Sequence, residues 1–261
     1  MEQETVLGKE RSKILNVNIN LISYQDLIKT LTTAPIDSKH KYICFANVHM
    51  IIEAYRNETV RNAINNASYT VTDGMPLVKT LGILYRIKQD RIPGMDFMPG
   101  LMKEAENKKF SVFFFGSTHE ILTRIISKAK HEFPALHIAG SISPPFRALL
   151  PQEENAYIEK INQSGATYLF VGLGCPKQEL WMSRNRSKIK AIQLGVGGAF
   201  EVYVGMKKRA PIWIQRMSLE WIYRLLQDPK RLFKRYITTN SIYLYLITIE
   251  FIKIRILRMN A

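Results

Sequence analysis

Seven apolar runs rich in β-branched or aromatic residues recur along the first 200 residues. They are ILNVNI (14–19), YICFAN (42–47), YTVTD (69–73), FSVFFFG (110–116), LHIAGSI (136–142), TYLFVGLG (167–174) and AIQLGVG (191–197). Apolar residues at helical spacing lie between most of them, over 25–31, 75–84, 120–131 and 153–161. Strands that alternate with helices require crossover connections. The pattern therefore predicts an α/β fold with a Rossmann-like, mostly parallel sheet and helices on both faces.

The pattern changes near residue 205. From Lys207 onward, twelve Lys and Arg residues stand against three acidic ones, a net charge of +9, and Trp, Tyr, Phe and Leu are interleaved with them. We therefore expect an α/β core over residues 1–205 and a basic, amphipathic, helical appendage over residues 206–261.

The appendage has three interpretations. Its last run, SIYLYLITIEFIKIRIL, is interrupted by Glu250, Lys253 and Arg255, so a membrane-spanning helix is not expected. Basic residues mixed with Trp, Tyr and Leu favour a segment that lies on an anionic membrane surface. The alternative is an ordinary helical cap folded onto the core. Nucleic-acid binding ranks lower because no DNA- or RNA-binding motif accompanies the charge.

Composition narrows the class of protein. The chain has 261 residues, 46% of them hydrophobic, which is enough to bury a core. The formal net charge of +15 favours an anionic partner. The two cysteines, Cys44 and Cys175, lack metal-binding or disulfide spacing, and the N-terminus is charged without an apolar stretch, so no cleaved signal peptide is expected. We expect the protein on the cytoplasmic side of the membrane.

Polar and glycine-bearing clusters follow most of the predicted strands. They are Asn47 and His49, Asp73 and Gly74, Gly116 to Thr118, Gly140 with Pro144 and Pro145, GLGCPKQE (172–179), and GVGGAFEVYVG (195–205). Because parallel strands share one carboxyl edge, these clusters predict a crevice there, the usual ligand site of open α/β sheets. For GLGCPKQE alone, a simple strand-to-helix turn explains the residues equally well.

Asp73 is the most interesting carboxylate. It ends a strand, where it either caps the next helix or acts as a general base toward an acceptor hydroxyl. Arg91, in DRIPGMDFM, is either a phosphate ligand or an ordinary surface arginine. His49 fits a structural role better than a catalytic one.

The glycine-rich turns do not match a redox-cofactor site. GVGGAF has Phe200 where the dinucleotide fingerprint needs a small residue, and no P-loop occurs. Such turns can still offer backbone N–H groups to a pyrophosphate, which suits a nucleotide-sugar. No D-x-D pair is present to hold a divalent ion, so we expect neither a metal nor another cofactor.

Together these motifs resemble the WecG/TagA/CpsF glycosyltransferases, glycosyltransferase family 26, which include N-acetylmannosaminyltransferases. The resemblance rests on ANVHM, VTDGMPLV, RIPGMDFM, FFFGS, VGLGCPKQELWM, GVGGAFEVYVGMKKRAP and LEWIYRLLQDPKRLFKRY, which cover roughly residues 40–236 in the family's order. It implies a membrane-surface enzyme that moves a sugar from a UDP-sugar onto a polyprenyl-pyrophosphate-linked sugar, with inversion and without metal, in assembly of a cell-surface polymer.

The resemblance also implies roles for individual residues. Asp73 matches the base, Asn47 its polar neighbour and Arg91 the arginine of R-x-P-G. Expected donor contacts are Gly116, Ser117, Gly140, Pro144, Gly174, Pro176, Lys177, Gln178, Glu179, Gly197 and Phe200. Expected contacts to the acceptor pyrophosphate or membrane are Arg209, Arg224, Arg231 and Arg235.

One position departs from the resemblance. Some members carry Thr two residues before the Asn, where this chain has Phe45, so a hydroxyl contact to the sugar is absent. The transferred sugar therefore stays open among N-acetylmannosamine, hexuronate and glucose types, and a homo-oligomer stays among the partners that the sequence allows. The alternative function is a non-catalytic, basic, membrane-peripheral scaffold that binds anionic lipid.

Overall fold

The protein is an α/β structure built on a six-stranded parallel sheet. The computed structural model describes residues 10–33 and 40–256. The strands of the main sheet are β3 (Tyr42–Ala46), β4 (Tyr69–Thr72), β5 (Ser111–Gly116), β6 (His137–Ile142), β7 (Tyr168–Gly172) and β8 (Ile192–Gly195). They are hydrogen-bonded in the order β4-β3-β8-β7-β5-β6, and every pairing between them is parallel. The predicted fold class is confirmed.

Helices cover both faces of the sheet. They are α1 (Tyr24–Thr33), α2 (Val48–Arg56), α3 (Glu58–Asn65), α4 (Met75–Tyr85), α5 (Gly94–Asn107), α6 (His119–Glu132), α7 (Pro151–Gln163), α8 (Lys177–Arg184) and α9 (Ala199–Tyr203). One buried cluster joins the sheet to α1, α5, α6 and α9. A second joins the other face to α2, α3, α4, α7 and α8. The strands are apolar on both faces because both are buried.

The order of the strands creates a switch point between β3 and β8. The helix that follows β3, α2, packs on one face of the sheet, whereas the helix that follows β8, α9, packs on the other face. Connections that leave in opposite directions open a crevice at the carboxyl edge of the sheet, where α/β proteins bind ligands.

The prediction of one strand over residues 14–19 is wrong. These residues belong to an antiparallel hairpin of β1 (Arg11–Ile14) and β2 (Val17–Asn20). The chain reverses at Leu15, which has φ 51° and no glycine beside it to mark the turn. The apolar residues Ile14, Val17 and Ile19 are fully buried on either side of the reversal. The apolar run therefore spans two short strands.

The C-terminal segment is helical and packs on the core. It contains α10 (Ile212–Arg216), α11 (Glu220–Gln227), α12 (Pro229–Phe251) and a final π-helical turn, Ile252–Ile256. Helix α12 runs against α2 and α4. The Tyr243 hydroxyl is buried 2.7 Å from the Thr80 hydroxyl of α4. In the part of the chain that the structure describes, no helix is long and apolar enough to cross a bilayer.

We expect Tyr243→Phe to lower the free energy of unfolding by about 1–2 kcal/mol, because the buried Thr80 hydroxyl loses its partner. Chemical denaturation followed by circular dichroism measures this change. Tyr245→Phe is the matched control, since Tyr245 lies on the same helix and is 66% exposed. Equal stability of the two variants would show that the Tyr243–Thr80 contact contributes little to docking of α12.

Candidate active site

A cavity of about 210 Å³ opens at the carboxyl ends of β3, β4, β7 and β8. Its polar and charged lining residues are Asn47, Asp73, Gln178, Glu201, Lys207, Lys208, Arg224, Gln227, Asp228 and Arg235. Residues of the strand ends and residues after position 205 thus line the same cavity. We call it the catalytic cavity below.

Asp73 follows β4 and faces this cavity. Its side chain does not cap α4: the N-cap position of that helix is Gly74, and no side-chain capping bond is present there. Instead, its Oδ1 accepts from the amide of Gly94, the first residue of α5, at 3.2 Å. Burial raises the pKa of Asp73 to about 6, although the nearby Arg224 and Arg91 guanidinium groups oppose that rise. A carboxylate with a pKa near 6 is a stronger base than an ordinary aspartate.

Asn47 links the start of α2 to the carboxylate of Asp73. Its Oδ1 caps α2 by accepting from the Met50 amide at 3.2 Å. Its side chain also hydrogen-bonds the Asp73 carboxylate, which favours the ionised form. The neighbouring His49 has a pKa lowered by burial to about 4, so it is neutral at physiological pH. The expectation that His49 is structural agrees with this environment.

Arg91 ties the strand end to the C-terminal segment. Its Nε donates to the backbone carbonyl of Asp73 at 2.8 Å. Its Nη1 donates to Gln215 of α10 and its Nη2 to Glu220 of α11, both at 2.7 Å. The guanidinium group thus donates to three protein acceptors, and it holds Asp73 through the backbone carbonyl of that residue.

The other expected arginines have different environments. Arg224 lies in the catalytic cavity and pairs with Glu220 one helical turn away. Arg209 forms a two-pronged ion pair with Asp96 of α5. Arg235 lines the catalytic cavity from α12. The side chain of Arg231 lies outside the described residues.

Gln178 and Glu179 are buried and hold the strand-end loops together. The Gln178 amide accepts from Gly174 N at 3.2 Å and donates to Gly195 O at 2.8 Å. It also donates to Glu179 Oε1 at 2.8 Å. Glu179 is fully buried, and burial raises its pKa to about 7. In this arrangement Gln178 lines the catalytic cavity, whereas Glu179 does not line it and hydrogen-bonds two residues that do, Gln178 and Cys175.

Three expected donor contacts line a second cavity. This cavity, of about 400 Å³, lies on the other side of the β7–α8 connection, and Ser117, Pro144 and Lys177 border it. Its remaining lining includes Phe146, which is 81% exposed, and the buried Trp181. Pro176 precedes α8 in the connection itself. Of the eleven expected donor residues, three line the catalytic cavity (Gly174, Gln178 and Gly197), three line this second cavity, and the other five line neither.

Gly140 is not at a strand end, which corrects the sequence-based placement. It lies inside β6, beside the bulge in the β5–β6 pairing. Its φ is +155°, and a Cβ there would lie 2.6 Å from the ring of Phe113. Gly116 ends β5 at φ +121°, where a Cβ would lie 2.6 Å from the backbone of Gly172. Phe200 is buried. All three positions serve packing and line neither cavity.

Two backbone donors of the glycine-rich turns are already used. Gly174 N donates to Gln178, and Gly197 N donates to Val171 O at 3.2 Å. Both glycines line the catalytic cavity. Positive charge in the cavity therefore comes from side chains, namely those of Lys207, Lys208, Arg224 and Arg235.

Several site residues were not assigned a role from the sequence. Glu220, Gln215 and Asp96 hold the arginines, and Lys207 and Lys208 line the catalytic cavity. A signal existed for Glu220, because it stands four residues before Arg224 on one helix. Nothing local in the sequence indicates its second contact, with Arg91. Over the described ranges, no group of three or more His, Cys, Asp or Glu residues is placed to hold a metal ion.

Comparison with known proteins shows the family to which the chain belongs. A sequence model of the "Glycosyl transferase WecG/TagA/CpsF family" matches residues 12–256, so the chain belongs to this family and is a glycosyltransferase. A Bacillus spizizenii protein named N-acetylglucosaminyldiphosphoundecaprenol N-acetyl-beta-D-mannosaminyltransferase is 31% identical, over 82% of this chain and 84% of its own. A Staphylococcus aureus protein of the same name is 30% identical, over 84% of this chain and 85% of its own. The resemblance inferred from the motifs is confirmed.

We expect Arg91→Gln to destabilise the docking of α10 and α11 by about 2–3 kcal/mol, because the part-buried Glu220 loses a charged hydrogen-bond donor. Hydrogen exchange over residues 212–227 measures the change as faster exchange relative to the wild-type protein. Arg124→Gln is the control, since Arg124 pairs with Glu120 on the surface of α6. Unchanged exchange in Arg91→Gln would show that Arg91 does not hold the segment.

Proposed function

We propose that the protein is an inverting, metal-independent transferase that uses a UDP-sugar donor and a polyprenyl-pyrophosphate-linked sugar acceptor. The observation that carries the proposal is the position of Asp73. Its carboxylate faces a cavity at the switch point of the sheet, together with Asn47 and Arg224. In this proposal residues 1–205 form the catalytic core and residues 206–261 the basic appendage.

The proposed reaction is a single displacement. The carboxylate of Asp73 accepts the proton of an acceptor hydroxyl, and the oxygen attacks the anomeric carbon of the donor. The new C–O bond forms on the face opposite the bond to UDP, which breaks with its electron pair leaving on the β-phosphate oxygen. Attack from the opposite face inverts the anomeric centre. A base with a pKa near 6 is mostly ionised at pH 7 and can perform this step.

The cationic side chains suit a diphosphate leaving group. Lys207, Lys208, Arg224 and Arg235 line the cavity. Four cations at the rim and wall can neutralise developing negative charge, which is the role that a divalent ion has in other transferases. The absence of a D-x-D pair from the sequence fits the same proposal.

The relatives narrow the substrates. The names of these relatives specify an N-acetyl-β-D-mannosaminyl group and an N-acetylglucosaminyl-diphosphoundecaprenol acceptor. Of the three sugar types left open by the sequence, we therefore favour N-acetylmannosamine as the transferred group and a similar lipid-linked acceptor. Such an enzyme contributes to assembly of a cell-envelope polymer.

A lipid-linked acceptor requires contact with the bilayer surface, and α12 offers a suitable one. Phe233, Ile237, Leu244 and Phe251 recur at helical spacing and are 57%, 50%, 69% and 36% exposed. On a helix these four positions lie within about 40° of one direction. Exposed apolar residues beside Lys and Arg are typical of segments that lie on anionic membranes. On this basis we propose that α12 contacts the membrane surface, and the cytoplasmic face is the side that the sequence favours.

The rival function, a lipid-binding scaffold without catalysis, explains the appendage alone. It gives no reason for Asp73 to lie partly buried beside Arg224, because an unneeded carboxylate in that position costs desolvation energy. The enzyme explains both features.

We expect Asp73→Asn to keep UDP binding and to lower turnover by about 10²-fold or more, the scale of a lost general base. UDP release from a panel of UDP-sugars with a short-chain lipid-pyrophosphate acceptor measures turnover. In the wild-type protein kcat/KM falls as pH decreases through about 6, because Asp73 is protonated there. Asp90→Asn is the control, since that side chain accepts from the Tyr24 amide outside the cavity. Near-normal turnover in Asp73→Asn would remove Asp73 from the mechanism.

We expect the triple variant Phe233→Ser, Ile237→Ser, Leu244→Ser to lose most binding to vesicles of phosphatidylcholine and phosphatidylglycerol. Removal of these exposed groups leaves the buried Tyr243 and its contact in place, which a truncation of α12 would not. Vesicle sedimentation measures binding, and Leu150→Ser, which alters an exposed leucine before α7, is the control. Unchanged sedimentation of the triple variant would exclude this face of α12 as the membrane contact.

A further inference from the structure

Glu220 bridges the two arginines that lie nearest the proposed base. Its Oε2 accepts from Arg91 Nη2 at 2.7 Å, and its Oε1 accepts from Arg224 Nε at 3.0 Å. The Glu220 side chain is only 17% exposed. Each carboxylate oxygen therefore has a guanidinium partner, and the carboxylate holds the two cations at a fixed separation.

Both arginines held by Glu220 act on Asp73. Arg91 donates to the backbone carbonyl of Asp73, and Arg224 is the largest favourable charge on its carboxylate. Glu220 itself opposes ionisation of Asp73, because it is a second negative charge nearby. Two cations and two carboxylates thus form a balanced set.

Other charged and titratable groups surround this set. They are His49 of α2, Glu201, Lys207 and Lys208 around the end of α9, Asp228 after α11, and Arg235 and Tyr236 of α12. Glu201 and Lys207 pair with each other. The groups whose charges act on the Asp73 carboxylate most strongly are Arg224, Glu220 and Arg91.

We propose that Glu220 is a positioning residue of the transferase: it fixes Arg224 beside Asp73 and sets the charge that the proposed base experiences. The inference rests on the proposed function of Asp73. Glu220 acts through the arginines, because both its oxygens are occupied by them. A residue with only a structural role would hold α11 in place without changing the ionisation of Asp73.

Two substitutions separate charge from position. Glu220→Gln removes the negative charge and leaves both arginines uncompensated, so ionisation of Asp73 becomes easier. We expect the acidic limb of the kcat/KM profile to move down by about 0.5–1 pH unit. Plateau turnover falls about tenfold or more, because Arg224 loses its fixed position. Glu220→Asp keeps the charge but is one methylene too short to bridge, so turnover falls while the limb stays near its wild-type pH.

The matched control is Glu120→Gln. Glu120 pairs with Arg124 at the same four-residue spacing, on the exposed surface of α6. We expect its turnover and pH profile to equal those of the wild-type protein. Thermal unfolding and UDP binding of each variant show that it is folded.

The outcomes are distinguishable from failure of the proposed function. If Asp73→Asn retains turnover, the assignment of the base fails, and the inference about Glu220 fails with it. If Asp73→Asn is inactive but Glu220→Gln has the wild-type limb and turnover, only the role of Glu220 is overturned. If Glu220→Gln does not fold, Glu220→Asp decides. Lost turnover with an unchanged limb, in a variant whose thermal unfolding and UDP binding equal those of the wild-type protein, supports the proposal, whereas wild-type turnover, or a loss of turnover that accompanies a loss of stability, overturns it.

Discussion

The structure of the catalytic cavity depends on the three hydrogen bonds that the guanidinium group of Arg91 donates. A part-buried cation requires nearby acceptors, and Arg91 finds them on three elements: the end of β4 at Asp73, α10 at Gln215, and α11 at Glu220. Each acceptor would be poorly solvated without Arg91. The same side chain therefore fixes the geometry of the strand end and the docking of the C-terminal segment. Because the segment also carries Arg224, its docking brings positive charge next to Asp73.

This coupling explains why the pKa of Asp73 is raised toward neutral pH, as its proposed role as a base requires. Burial favours the protonated form of Asp73, while Arg224 and Arg91 favour the carboxylate, and the result is a pKa of about 6. With burial alone the carboxylate would be protonated more readily, and with the arginines alone it would be a weak base. The balance requires a part-buried position at the sheet edge, the nearby Arg91, and Arg224, which lies 151 residues after Asp73 (224 − 73) in the sequence. Neither half of the chain contains all of these groups, since Asp73 and Arg91 lie in the first half and Arg224 in the second.

The sequence predicts the sheet well because buried parallel strands form continuous apolar runs. It also predicts that Asp73 and Asn47 lie close together, because the carboxyl ends of the strands share one edge. It misplaces residues 14–19, since a turn at Leu15 without glycine interrupts no apolar pattern. It misplaces Gly140, since a glycine inside a bulge resembles one in a turn. The buried bracing role of Gln178 and the Arg91–Glu220 pair depend on side-chain direction and tertiary contact, which periodicity does not encode. The packing of α12 on α2 is not predictable from periodicity either, because apolar residues occur on all sides of α12.

The glycine-rich turns and the C-terminal segment divide the work of the cavity. Gly174 and Gly197 line the cavity but donate their amides to other protein groups, so these two amides shape the cavity without being free to bind an anion. The side-chain amide of Gln178 connects the end of β8 to the turn after β7, which fixes this part of the cavity lining. Positive charge for a diphosphate must then come from side chains, and the four cations of the cavity all follow residue 205. The core thus carries the proposed base and shapes the cavity, and the C-terminal segment carries the positive charge. The segment that carries these cations also exposes the apolar face of α12, so in the proposed function one segment both contacts the membrane and completes the site.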